Sequence, residues 1–260
     1  MNFFGHIEQT FLAIYVIFIF ILLYLFHQWG TTMDIEKSQG TTFTNVEKRF
    51  FGRRQSRPLK EEAAEICSRL LPTLQLRDAD IKNISTPTII EIGFGGGEHL
   101  AEIAHQNPNI NYIGCEAYVN GVGSFLRHVD QRQLKNVKVW DKDAWGLLNQ
   151  LPLSSLDGAI LLFADPWPKK RHHKRRFIQT ETIQKMHQLL RPGAIWKIAT
   201  DHVDYRSWIL NHFERHKDLF EQIRPDIYER PSLDTWPKTR YESFADSEGR
   251  HSGFMMYARL

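Results

Sequence analysis

The chain has 260 residues, a formal net charge of +3 and a hydrophobic share of 42%. That share is ordinary for a globular protein and excludes disorder throughout, and the length allows one large domain with appendages. Its two cysteines, Cys67 and Cys115, lack CxxC spacing and a dense set of histidine partners, so neither a metal site nor a disulfide framework is expected and a reducing compartment fits.

The N-terminus carries an apolar run over residues 11–26 (FLAIYVIFIFILLYLF), slightly short of the roughly 17–25 residues that span a bilayer. Glu8 precedes it, no Lys or Arg does, and no small-residue cleavage site follows, so it does not read as a secretory signal. Two readings stay open. The run is a spanning segment, followed by Lys37, Lys48, Arg49, Arg53 and Arg54 so that the rest of the chain faces the cytoplasm, or it precedes the start in use at Met33. Both leave the functional domain in the cytoplasm, and membrane contact is expected only if the run is translated and inserted. The expected division is a leader over 1–32, a flexible basic arm over 33–60 and one domain over 61–260.

A helical pattern from Glu61 to Leu71 ends at Pro72. Thr88–Ile92 is a short strand entering a glycine cluster, with a helix near His99–Gln106 behind it. The alternation continues: strand Asn111–Cys115, helix Val119–Gln133, strand Val137–Trp140, helix Trp145–Gln150, strand Leu156–Phe163. A helix over Phe177–Leu190 stops at Arg191-Pro192-Gly193, strand Ala194–Thr200 follows, and another helix covers Tyr205–His216. This order predicts a doubly wound, mainly parallel α/β sheet of Rossmann-like type. Gly253–Arg259 follows with no crossover helix in view and is expected to join as an antiparallel C-terminal strand.

Glu91-Ile-Gly-Phe-Gly-Gly-Gly97 links a strand to a helix, where glycine permits positive φ and close approach of a ligand to backbone N–H groups. A dinucleotide fingerprint would need a small residue after Gly97, but position 98 is Glu, whose carboxylate would repel a pyrophosphate at the helix start. The ExGxGxG form suits a ligand with no phosphate and a positive sulfonium, namely S-adenosyl-L-methionine. Glu91, Gly93 and Gly95 are its candidate binders. Glu116 closes the second strand, where it can accept ribose hydroxyls, and Asp143 follows the third, where it can accept the adenine amino group.

The fourth strand delivers Phe163-Ala-Asp-Pro-Trp-Pro168. Pro166 pins Asp165 in an extended conformation over the sheet edge, and Trp167 offers a flat face for stacking a base. Next come residues 169–176 (KKRHHKRR), six of eight being Lys or Arg, which place a positive field for phosphates beside that acid.

EIGFGGG, GCEAY, DKDA, FADPWPKKRHHKRRF, ATDHVDY and TRYE stand in the order and approximate spacing of the bacterial tRNA (guanine-N7-)-methyltransferases, which residues 45–258 resemble. The apolar leader is foreign to that family, and Gly96 and Ala164 depart from its commoner residues without replacing a functional group. The resemblance implies a class I methyltransferase fold, a tRNA partner, and methyl transfer to a guanine in the variable loop (position 46). It implies that Glu91, Glu116 and Asp143 contact S-adenosylmethionine, and that Asp165 is the catalytic acid, also near the cofactor. Lys169, Asp201, Thr239, Arg240, Tyr241 and Glu242 would bind substrate. The alternatives are a methyltransferase acting on another RNA or DNA base position, a nicotinamide-dependent oxidoreductase, and a non-catalytic RNA-binding subunit. DPWP is close to the Asn/Asp-Pro-Pro-aromatic motif of exocyclic-amine enzymes, Glu98 argues against the oxidoreductase, and the retained acids argue against lost chemistry.

Overall fold

The structure, a computed structural model, describes residue 54 and residues 58–84, 87–233 and 235–260. The apolar leader and nearly all of the basic arm lie outside them, as do the expectations attached to those segments. Among the described residues no helix is long and apolar enough to cross a membrane.

Five strands run parallel: β1 (Thr88–Ile92), β2 (Asn111–Cys115), β3 (Val137–Trp140), β4 (Leu156–Leu162) and β5 (Leu190–Thr200). Two more, β6 (Phe220–Gln222) and β7 (Gly253–Arg259), complete the order β3-β2-β1-β4-β5-β7-β6. From β1 the chain winds outward through β2 to β3, then returns to the other side of β1 for β4 and β5. The reversal between β1 and β4 opens a crevice at the carboxyl ends of the strands, where ligands bind in such sheets. The class I Rossmann-like expectation holds, and β7 pairs antiparallel with β5 from Thr200↔Gly253 to Ile195↔Ala258.

Helices cover both faces: α1 (Glu61–Leu74), α2 (Asp78–Lys82), α3 (Glu98–Gln106), α4 (Val119–Arg132), α5 (Ala144–Leu148), α6 (Thr180–Leu189), α7 (Val203–Glu214) and α8 (Arg240–Ser247). One core layer centres on Leu147, Leu156, Met186, Trp196 and Ile209, and the other on Leu100, Phe125, Leu126, Val139 and Phe254.

Three differences from the sequence reading have local causes. Helix α1 continues past Pro72 to Leu74 because its last turn is tied down from outside. The Arg77 guanidinium donates to the Pro72 carbonyl at 2.7 Å, and the Leu76 N–H donates to the Val139 carbonyl at 2.8 Å. Strand β6 is three residues long with only Phe220 buried, too short for an alternating pattern to register. The expected absence of a helix before β7 is also corrected by α8. Thr239 caps it, accepting the Glu242 N–H at 2.9 Å, so TRYE is half of a capping box as well as a motif.

Candidate active site

The chain leaves β1 through Gly93, Gly95 and Gly97, at φ +73°, +56° and +78°, in the left-handed region that favours glycine. A Cβ on Gly97 would lie 2.5 Å from the buried Phe125 ring, whereas one on Gly93 would meet nothing within 4 Å. Gly97 therefore serves packing, and Gly93 keeps space open. Behind the loop, a Cβ on Gly121 of α4 would stand 2.4 Å from the Gly95 carbonyl oxygen, so that helix glycine lets the loop sit down.

Glu91 lies beneath the loop, buried, with Oε2 2.7 Å from Nδ1 of the buried His99. It braces β1 against α3 and is not among the residues lining the cleft above, where a cofactor contact was expected of it. Glu116 does reach that cleft. Its Oε2 accepts the Gly95 N–H and its Oε1 the Tyr118 N–H, both at 2.9 Å. Burial pushes its carboxyl above the ordinary range, those backbone bonds oppose the shift, and the charge of Asp165 adds to it. Asp143 caps α5, its Oδ1 accepting the Trp145 N–H at 2.9 Å, and burial raises it as well.

Asp165 stands at the mouth of the cleft, an exposed residue whose carboxyl the surrounding walls still desolvate enough to raise. Its neighbours Phe163 and Trp167 have φ of +53° and +44°, a conformation that costs a non-glycine residue about 1–3 kcal/mol. The fold holds this turn from two sides. The Phe163 N–H donates to the Ala199 carbonyl at 2.8 Å, and Arg176 Nε donates to the Pro166 carbonyl at 2.8 Å. The same guanidinium donates to Asp204 and lies over the rings of Tyr205 and Trp208, 5.3 and 4.9 Å from their centroids.

This placement corrects the reading of the basic run as a uniform phosphate binder, because the Arg176 side chain is fully buried. Arg175 packs over Trp167 at 4.9 Å with the His172 ring edge-on at 5.8 Å, so the tryptophan already carries neighbours. Lys169, Lys170, Arg171 and Lys174 remain exposed as the cationic strip.

A cleft of about 600 Å³ gathers Gly93, Gly95, Glu116, Asp143, Asp165 and Tyr241, with Lys174 and Arg175 at its border. Strand ends β1 to β4 thus bring five of the six expected cofactor residues together. These groups fit S-adenosylmethionine: open space at Gly93 for close approach to the backbone, and carboxylates on Glu116 and Asp143 that can accept hydroxyl and amino hydrogens. Outside the cleft lining, Glu98 at the start of α3 would repel a phosphate there.

The expected substrate residues divide. Tyr241 lies on the cleft, its ring 3.4 Å from where a Gly95 Cβ would be. Lys169 is on the strip, and Arg240 is exposed, its Nε 3.9 Å from Glu98. Asp201, 3.2 Å from Arg250 Nε, and Glu242 line a second cavity. Glu242 is buried in a fork with Arg230 at 2.5 and 3.1 Å, and Thr239 is spent on the helix cap. Gly121, His99 and Arg176 were missed. Only Gly121 left a signal, since two glycines inside a helical pattern (residues 119–125, VNGVGSF) are unfavourable unless backbone must approach closely.

Residues 85–254 match a family model described as "Putative methyltransferase". A tRNA (guanine-N(7)-)-methyltransferase of Agrobacterium fabrum is 39% identical over 224 residues, covering 81% of this chain and 94% of its own. A protein of the same name from Paramagnetospirillum magneticum is 40% identical over 222 residues, covering 81% and 92%. Another from Brucella abortus is 36% identical over 219 residues, covering 81% and 94%.

Proposed function

Since the chain belongs to the bacterial tRNA (guanine-N7-)-methyltransferase family, we propose that it methylates N7 of a guanine in tRNA, at position 46 of the variable loop, in the cytoplasm. The observation that carries the reading is a single cleft holding Gly93, Gly95, Glu116, Asp143 and Asp165 beside an exposed lysine–arginine strip. S-adenosylmethionine, when bound, supplies an electrophilic methyl group on a positive sulfur.

Guanine N7 carries an in-plane lone pair and no proton, so its attack requires no general base. The residues of this chain contribute orientation, holding reactants within about 3–3.5 Å, and a field matched to the positive charge that moves onto the purine. Glu116 would accept the ribose hydroxyls and Asp143 the adenine amino group of the cofactor. Asp165, fixed by the strained turn and the Arg176 grip, accepts the guanine N1–H and amino group and offsets the developing charge. Lys169, Lys170, Arg171 and Lys174 engage phosphates at the entrance.

The test is methylation of a tRNA transcript by the purified protein with labelled methyl donor, read by nucleoside identification and borohydride–aniline cleavage. Label in 7-methylguanosine, lost when the guanine at position 46 is replaced by adenine, is expected. Label in another nucleoside would overturn the assignment to N7, and label persisting in the adenine transcript would overturn the position.

A further inference from the structure

A second cavity, of about 1090 Å³, takes no part in the methyl transfer itself, although its wall includes Asp201 and Glu242, two of the residues that the resemblance implies for substrate binding. It flanks the first turn of α8, since Tyr241 lines the cofactor cleft and Glu242 lines this one. Its wall holds four carboxylates, of Asp201, Asp204, Glu242 and Asp246, and three guanidinium groups, of Arg206, Arg230 and Arg250.

Every one of those acids has a cation. Asp201 pairs with Arg250 at 3.2 Å, Glu242 with Arg230 at 2.5 Å and Asp246 with Lys238 at 2.6 Å, while Asp204 pairs with Arg176. Arg206 is left over, with no carboxylate partner among the described residues. It is nonetheless more than nine-tenths buried. One nitrogen donates to the His251 carbonyl at 3.1 Å, the guanidinium lies over the Tyr228 ring at 4.9 Å, and the other nitrogens have no hydrogen-bond partner among the described residues.

The seat is built for this side chain. A Cβ on Gly253 would stand 2.6 Å from Arg206 Cδ, so β7 gives up a side chain where the arginine stem crosses it. Ser252, on the same wall, has a buried hydroxyl with no partner among the described residues. The arginine's unpartnered nitrogens are not among the fully buried atoms and so remain open to the cavity it lines, and a planar guanidinium fork is suited to recognising a phosphate through two parallel N–H bonds.

We propose that this cavity is a phosphate subsite for the RNA backbone, with Arg206 as its cation and the Ser252 hydroxyl as a second donor. The anion-binding character rests on the wall itself; the identity of the polyanion rests on the tRNA methyltransferase reading. A strand lying on the strip at Lys169–Lys174 would reach this second anchor across the first turn of α8.

The experiment measures binding of a tRNA transcript to the wild-type protein, Arg206→Gln and Arg206→Lys over a potassium chloride series. Thermal melting with inorganic phosphate against chloride at equal ionic strength runs in parallel. Arg206→Gln should weaken tRNA binding roughly three- to tenfold and reduce the slope of log affinity against log salt by about one. Arg206→Lys, which keeps the charge but loses the fork, should weaken binding while keeping the slope. Phosphate should raise the melting midpoint of the wild type more than that of Arg206→Gln. An unchanged salt slope in Arg206→Gln overturns the RNA subsite, and if phosphate protection still depends on Arg206 the cavity takes a small free anion instead. Should Arg206→Gln not fold, wild-type affinity and slope in Arg206→Lys, together with no phosphate effect on the wild type, would overturn the proposal. If the wild type methylates no tRNA while phosphate still protects through Arg206, the functional reading fails and the anion site stands.

Discussion

Alanine at Gly97 and alanine at Gly93 test what each glycine of the loop is for. Both positions have positive φ, +78° and +73°, which costs an L-residue roughly 1–2 kcal/mol. At Gly97 the added methyl would lie 2.5 and 2.6 Å from side-chain atoms of Phe125, a residue with no exposed surface and so no room to retreat. Overpacking of that kind costs about 1–3 kcal/mol more, giving roughly 2–5 kcal/mol in all. At Gly93 the methyl enters open space on the cleft wall, and the backbone term stands alone. With about 2–4 °C per kcal/mol for a domain of this size, Gly97→Ala should melt roughly 4–20 °C below wild type and Gly93→Ala roughly 2–8 °C below. The cofactor response should run the other way. Saturating S-adenosylhomocysteine should still stabilise whatever Gly97→Ala protein remains folded, but should stabilise Gly93→Ala far less than wild type, because the methyl takes ligand volume. The assay is thermal unfolding with and without that ligand. Equal melting of the two variants, or full ligand stabilisation of Gly93→Ala, would refute the division of labour.

Other substitutions probe the rest of the site. Gly121→Ala, whose added methyl would stand 2.4 Å from the Gly95 carbonyl oxygen and 3.4 Å from Glu116 Cγ, should weaken cofactor affinity at least tenfold by calorimetry although helix propensity favours alanine; unchanged affinity would remove its supporting role. Asp165→Ala should cut turnover far more than cofactor affinity in a methyl-transfer assay, and near-normal turnover would end its catalytic assignment. Burial raises the Asp165 carboxyl above its unfolded value, so the stability it contributes is present in full below the unfolded value and lost as pH rises through the folded one. Ligand-free Asp165→Asn should therefore melt above wild type at neutral pH, with the gap closing as pH falls through the window just above the ordinary carboxylate range. Arg176→Lys cannot hold both the Pro166 carbonyl and Asp204, and should lower turnover about tenfold while cofactor affinity moves less; the two falling in step would make Arg176 a plain stability residue.

What could be read from the sequence followed what is periodic or local. Strands β1 to β5 announced themselves as apolar runs between helical patterns, and the acids Glu116, Asp143 and Asp165 were legible because each sits where a strand stops. Glu91 was harder, since a residue inside β1 points to one face or the other. Here it faces His99, a partner eight residues along whose pairing no spacing rule foretells. Arg176 looked like its basic neighbours, and only Asp204, Tyr205 and Trp208, contributed from α7, distinguish it. TRYE similarly concealed three environments in one motif: a cap at Thr239, a cleft wall at Tyr241 and a buried ion pair at Glu242. Helix periodicity could have separated them, had the capping-box spacing been taken as the start of α8.

The measurement closest to the central claim is a crystal structure of the protein with S-adenosylhomocysteine. The account expects the ribose hydroxyls on the Glu116 carboxylate, the adenine amino group on Asp143, the amino-acid portion over Gly93 and Gly95, and the sulfur turned toward Asp165. A ligand seated elsewhere, or one whose sulfur faces away from Asp165 and the lysine–arginine strip, would contradict it.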